Sequence, residues 1–282
     1  MSDFSEYGSR YNWLANSVRD FKRKGTVIID DLTLEGDGEE MAGVAISDKD
    51  KIAIATQLSE IGVSRIRVLG PKPQSDEISI VEEILSLGLP VQIGSLVQTQ
   101  EDLEISAQIG LWGVLVNIGV SAIRISDGKT ELDVIEESKR LTRFAKEQGL
   151  HTCFLMGDTT HTKPEFLKQL ILAVQENCDE LGFADSGAVS PFGFRYLIEQ
   201  VTTWTKLPVA VHCHNGSSMA VANALACVLG GASVLHTTVN GLGELSGLLS
   251  LEEIAVALPM HLGVSTGIKL ERLKSVSEMV VR

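Results

Sequence analysis

The sequence has 282 residues, 24 Lys+Arg against 37 Asp+Glu for a net charge of −13, 44% hydrophobic and 22% charged residues. That length fits one α/β barrel or two small domains, and the apolar content excludes a disordered chain. The acidic balance argues against a nucleic-acid partner or adhesion to an anionic membrane, both of which need a basic surface.

No run of about 18 apolar residues offers a membrane span. The opening Met-Ser-Asp-Phe-Ser-Glu-Tyr has no apolar stretch and does not read as a secretory signal. Cys153, Cys178, Cys213 and Cys227 lack C-x-x-C spacing, so free thiols in a reducing cytoplasm are expected. The short basic clusters, Arg19 with Lys22 to Lys24 and Lys269 with Arg272 and Lys274, are read as solvated faces.

Along the chain, residues 1–25 come first, with Tyr7, Tyr11 and Trp13, and are read as an N-terminal extension capping the closed end of the fold. Thereafter Val/Ile-rich runs alternate with amphipathic stretches, the pattern of a parallel α/β fold. Strands are predicted over 26–31, 65–69, 90–93, 113–117, 151–156, 180–184, 209–212 and 233–239. Helices are predicted over 48–61, with Asp48 as N-cap and Gly62 past its end, and over 75–86, 99–109, 130–148, 163–176, 191–203, 219–229 and 251–257. Eight strands close a parallel barrel. A doubly wound open sheet would place a glycine-rich phosphate turn after the first strand, whereas Glu35-Gly36-Asp37-Gly38-Glu39-Glu40 is too acidic for that task. The expected architecture is therefore α/β, a single (β/α)8 TIM barrel over 26–264, with a C-terminal helix in 265–282.

In such a barrel the working residues sit where strands end. Those positions hold Asp30, Asp31 and Asp37, then Asn117, then Asp158 and His161, then Asp185, then His212, His214 and Asn215, and finally His236 and Asn240. His212-Cys213-His214 is the sharpest element, because residues i and i+2 of a strand share a face and two imidazoles with one carboxylate can hold a divalent ion. Alternation turns Cys213 toward the helices. His236 is expected to be a core histidine with its hydrogen bonds satisfied, and His151 and His261 to lie away from the mouth.

These stretches together resemble the DRE-TIM metallolyase superfamily, the group of isopropylmalate synthase, homocitrate synthase and hydroxymethylglutaryl-CoA lyase. Asp31-Leu32-Thr33-Leu34 with Asp37-Gly38-Glu39 resembles D-x-T-L-R-D-G-E with one residue inserted. Val211-His212-Cys213-His214-Asn215, Ala220-Val221-Ala222-Asn223-Ala224-Leu225 and Thr238-Val239-Asn240-Gly241-Leu242-Gly243-Glu244 resemble three further motifs in order. Residues 267–273 resemble the start of the helix that leaves the barrel in the synthases. The resemblance implies a divalent ion (Mg²⁺, Mn²⁺ or Zn²⁺) on Asp37, His212 and His214, with Asp31 as the fallback carboxylate. It implies Asp158, His161 and Glu244 as catalytic groups, and Asn117, Thr160, Asp185, Asn215 and Asn240 against the substrate.

The departures lie where the family carries arginine. Gly36 precedes the implied metal-binding Asp37, Leu245 and Leu248 stand where the synthases have Arg and Asn, and Gly157-Asp158-Thr159-Thr160-His161 replaces an arginine-bearing loop. The expected activity is metal-dependent carbon–carbon bond cleavage, as a lyase or aldolase, through an enolate-type intermediate. Its substrate would be a small oxo or hydroxy acid or an acyl-CoA, and the resemblance implies a homodimer. The alternatives are an acetyl-CoA condensing synthase without the C-terminal appendage and a barrel retained as a binding or regulatory partner.

Overall fold

The computed structural model describes residues 26–35, 43–122, 125, 129–186 and 188–281, together with 9, 11, 12, 18, 21 and 41. Eight parallel strands close in sequence order into one barrel: β1 (Ile28–Asp31), β2 (Arg65–Leu69), β3 (Gln92–Val97), β4 (Gly113–Gly119), β5 (His151–Gly157), β6 (Glu180–Ala184), β7 (Val209–His212) and β8 (Val234–Thr237). The helices are α1 (Asp48–Ile61), α2 (Ser75–Ser86), α3 (Gln100–Gln108), α4 (Glu131–Glu147), α5 (Pro164–Val174), α6 (Pro191–Trp204), α7 (Ala220–Gly230), α8 (Leu251–Leu262) and α9 (Leu273–Val281). The expected TIM barrel is the fold observed.

Local chemistry sets these boundaries. Ser47, not Asp48, is the N-cap of α1, its hydroxyl accepting from the Asp50 amide, while Asp48 stands in the acidic first turn that complements the helix dipole. Gly62 ends that helix at φ 95°, a left-handed cap that costs glycine little. Thr99 with Asp102 and Thr130 with Asp133 form capping boxes at the starts of α3 and α4. β3 starts two residues later than predicted and runs to Val97, because Ser95, Leu96 and Val97 pair with β4. α8 continues through Pro259 to Leu262, where Gly263 stops it.

Strand alternation divides the apolar residues into two bodies. The larger lies between strands and helices and includes Ile29, Ile66, Val114, Phe154, Phe183, Val211, Cys213 and Leu235. The smaller fills the barrel interior with Leu32, Leu96, Leu115, Cys153, Leu155, Ala184, Ala210 and Val234. Cys213 thus faces the helices, as its position between two inward histidines requires.

The interior also holds four charges. Arg67 Nε donates to Asp30 Oδ1 at 2.9 Å and its Nη2 to Oδ2 at 2.6 Å, and Arg65 Nη1 donates to both Glu180 oxygens at 3.2 and 2.9 Å. Gly94 makes room for this layer: a Cβ there would stand 2.4 Å from Arg67 Nη1. Beneath, Arg65 lies over the Trp112 ring, which stacks on His151 at 4.2 Å.

After α8 the chain does not leave the barrel. Lys269 N donates to Ile61 O, and α9 packs on α1 with Leu273 and Val276 buried. Most of the expected N-terminal extension lies outside the described residues; of it, Asn12 Nδ2 meets His261 Nδ1 at 2.9 Å. No described helix is long and apolar enough to cross a membrane.

Candidate active site

At the C-terminal end of the strands a cavity of about 230 Å³ is lined by Gln98, Asn117, Asp158, Asp185, Ser186, His212, His214 and Glu244 among its polar groups. It contains no Arg or Lys among the described lining residues. The loops around it carry backbone strain: Asp158 (φ 59°), Ser217 (55°), Asn240 (59°) and Leu245 (56°) are non-glycine residues in the left-handed region.

β7 delivers two imidazoles to one wall. His212 and His214 lie with ring centroids 4.9 Å apart, and both are buried. His214 is held at three points: its amide donates to Asp185 Oδ1 (2.8 Å), its Nδ1 to the same oxygen (3.1 Å) and its Nε2 to Glu244 Oε1 (3.2 Å). Burial opposes a charge on this ring, but the two carboxylates outweigh it and raise its pKa to about 9. His212 goes the other way, pushed well below the ordinary value by burial and then by the neighbouring His214 and His236. The pair is thus split at neutral pH into a neutral ring and an imidazolium bridging two carboxylates.

A second cluster follows β5, with Asp158 in the cavity lining and the His161 side chain 42% exposed beside it. Asp158 accepts from Ser121 Oγ (2.5 Å), Ser186 Oγ (2.6 Å) and His161 Nδ1 (2.6 Å). Burial would raise the Asp158 pKa, yet these three donors hold it below the usual carboxylate value. Because the carboxylate takes the Nδ1 proton, His161 presents Nε2 as the nitrogen able to accept another.

The other sequence-designated positions divide. Asn117 and Asp185 line the cavity. Thr160 is not among the lining residues, and its buried hydroxyl oxygen has no hydrogen-bond partner among the described residues. Asn215 caps the next segment, accepting from Ala220 N at 3.3 Å. Asn240 faces α9, with Nδ2 on Ser277 O (3.1 Å) and Oδ1 on Ser277 Oγ (2.5 Å). Asp37 lies outside the described residues. Asp31 accepts from Thr33 N (3.1 Å) and Thr237 Oγ1 (3.0 Å), on the face of β1 opposite to Asp30, and burial lifts its pKa to about 7. Ser121 and Gln98 were not legible as site residues, since a loop serine or glutamine has no spacing signature. Arg65 and Arg67 had one: they repeat the i, i+2 pattern of the histidines.

The donor set around His212 and His214 is imidazole nitrogen and carboxylate oxygen, the set that Mg²⁺, Mn²⁺ and Zn²⁺ accept with different preferences. His214 Nε2 and Glu244 Oε1 stand 3.2 Å apart, a spacing that two ligands of one cation adopt. The residues therefore fit a divalent ion.

The family model described as HMGL-like matches residues 26–280, the whole described barrel and all of α9 but its last residue. The chain belongs to the HMGL-like family, within the DRE-TIM superfamily of lyases and synthases. Among the relatives of this HMGL-like chain are a 2-isopropylmalate synthase of Methanocaldococcus jannaschii, 33% identical over 259 residues, covering 90% of this chain and 50% of the relative. A homocitrate synthase AksA of Methanothermobacter thermautotrophicus is 32% identical over 270 residues, 94% of this chain and 69% of the relative. This chain spans about half the length of several of the synthases it matches. In fold it is similar to an HMG-CoA lyase from Bacillus subtilis with a TM-score of 0.79 at 23% identity, covering 92% of this chain and 94% of that one.

Proposed function

We propose that this HMGL-like chain makes or breaks a carbon–carbon bond next to a carbonyl through an enolate-type intermediate, at the mouth of the barrel and with the help of a divalent ion. The observation that carries this is one cavity lined both by a carboxylate-braced histidine pair and by Asp158, the carboxylate of an Asp158–His161 dyad. His212 and His214 would hold the ion with Glu244, the carboxylate 3.2 Å from His214 Nε2, or with Asp37. Such an ion polarises a carbonyl oxygen and stabilises the negative charge that develops on it.

The chain's own groups do the rest. Asp158 fixes the His161 tautomer through the 2.6 Å bond to Nδ1, so Nε2 is the atom that removes or returns the proton of the reacting carbon or hydroxyl. Ser121 and Ser186 keep Asp158 ionised and stationary. Asn117 and Gln98 offer uncharged hydrogen bonds to the remainder of a small oxo or hydroxy acid or acyl-CoA. Identity of 32–33% to synthases over nine-tenths of the chain supports the condensing direction over the cleavage direction.

Metal-free protein supplied with Mg²⁺, Mn²⁺ or Zn²⁺ should release free thiol from acetyl-CoA in the presence of a suitable 2-oxo acid. A hydroxyacid and hydroxyacyl-CoA panel, run in parallel, detects cleavage. Turnover that survives both chelation and His212→Ala/His214→Ala substitution would overturn the reading.

A further inference from the structure

His236 was expected to be a satisfied core histidine, and it is not. The residue is 1% exposed, and neither ring nitrogen has a hydrogen-bond partner among the described residues. Leaving both nitrogens of a buried imidazole unmatched costs the desolvation of each polar group with no bond in return. What lies around the ring is chemically specific. Cys153 Sγ from β5, a Glu180 carboxylate oxygen from β6 and a His236 ring nitrogen from β8 all lie within 4.8 Å of one another, and all three residues are buried.

We propose that Cys153, Glu180 and His236 form a second cation site inside the barrel, selective for a thiophilic divalent ion of the Zn²⁺ class. Ligands about 2.0–2.3 Å from a tetrahedral zinc stand roughly 3.2–3.8 Å apart, so a small contraction of the trio closes the site. Water completes the coordination.

The site is separate from the mouth pair. On β6, Glu180 lies four residues below Ala184, the residue paired with His212. His236 stands beside His212, ring centroids 5.6 Å apart, but its strand neighbour on the other side is Asp30 of the charged layer. Arg65 already donates to both Glu180 oxygens, the kind of outer hydrogen bond that orients a ligating carboxylate.

Charge decides the class of ion. Asp30 and Glu180 balance Arg65 and Arg67 one for one, so a 2+ ion bound through one thiolate leaves the layer with a single added positive charge. Oxygen-seeking Mg²⁺ or Mn²⁺ gains too little from this trio to offset that charge, whereas a metal–thiolate bond supplies the difference. Burial and the adjacent Glu180 keep the Cys153 thiol protonated well above its ordinary pKa, so uptake releases one proton: Cys–SH + M²⁺ gives Cys–S–M⁺ + H⁺.

Cobalt tests this, because the proposed mouth ligands are nitrogen and oxygen only and a sulfur-to-cobalt charge-transfer band reports the inner site alone. Protein expressed in Co²⁺-supplemented medium should show that band, and metal analysis should give two ions per chain. Cys153→Ser should abolish the band and remove one ion, while His212→Ala/His214→Ala should keep the band and remove the other. Absence of the band in the wild-type protein, or its persistence in Cys153→Ser, overturns the inner site. A single ion that is lost with the mouth pair and shows no band overturns the inner site and leaves the mouth reading intact. A single ion with the band, lost in Cys153→Ser, supports the inner site and counts against the mouth reading.

Discussion

Asp185→Asn isolates the brace on His214. The substitution keeps the size of the side chain but removes the charge that accepts from both the His214 amide and Nδ1. Hydrogen bonds to charged groups contribute about 1.5–3 kcal/mol, and one pKa unit corresponds to about 1.4 kcal/mol, so the His214 pKa should fall from about 9 by roughly 1–2 units. The same brace sets ring orientation for a bound ion, and losing such a partner typically weakens metal binding about 10–100-fold. Imidazole proton shifts followed against pH in metal-free protein read the first effect. Competition against a chromophoric chelator reads the second. An Asp185→Asn protein whose His214 still titrates near 9 would refute the assigned electrostatics, and unchanged metal affinity beside a loss in His214→Ala would refute the positioning role.

Three further outcomes are expected. His161→Ala should lower kcat about 10²–10⁴-fold in steady-state assays, and Asp158→Asn should follow it while Ser186→Ala loses less. Asp30→Asn strands Arg67 in the interior; a broken buried pair costs about 3–5 kcal/mol, read as a fall in urea midpoint, and Asp30→Leu/Arg67→Met should recover most of it. Asp31, raised from 3.8 to about 7, binds its proton more tightly in the folded state, so it withdraws about 4 kcal/mol of stability as pH rises from 4 to 7. His236, lowered from 6.5 to about 4, withdraws stability in the opposite direction, as pH falls through that range. Asp31→Asn should therefore raise stability at pH 8 more than at pH 5 in matched urea titrations.

The barrel was legible because its signals are local and repeated. Glu180–Ala184, Val209–His212, Asp48–Ile61 and Ser75–Ser86 are found at their predicted bounds, each an apolar run or amphipathic stretch closed by a glycine or a turn. The histidine pair was legible by the same rule of two, since strand alternation fixes a shared face. What escaped was anything joined across the barrel. Arg65 and Glu180 are 115 residues apart and carry no common pattern, yet they form the ion pair beneath the mouth. Ser121 and Ser186 converge on Asp158 from two different loops. His236 was misjudged because alternation fixes the direction of a side chain and says nothing about the partners it meets.

The charged layer bears on how the chain could be divided. A cut after β4 would leave Asp30, Arg65 and Arg67 on the first piece and Glu180 on the second. The first piece would retain its internal Asp30–Arg67 pair but carry one guanidinium without its carboxylate, and the second one carboxylate without its cation. Each half-barrel then exposes the complement of the other at its open seam. Two separately made fragments are accordingly matched as halves of one object, and the electrostatic key that selects the correct mate over a second copy of itself lies on the inner wall.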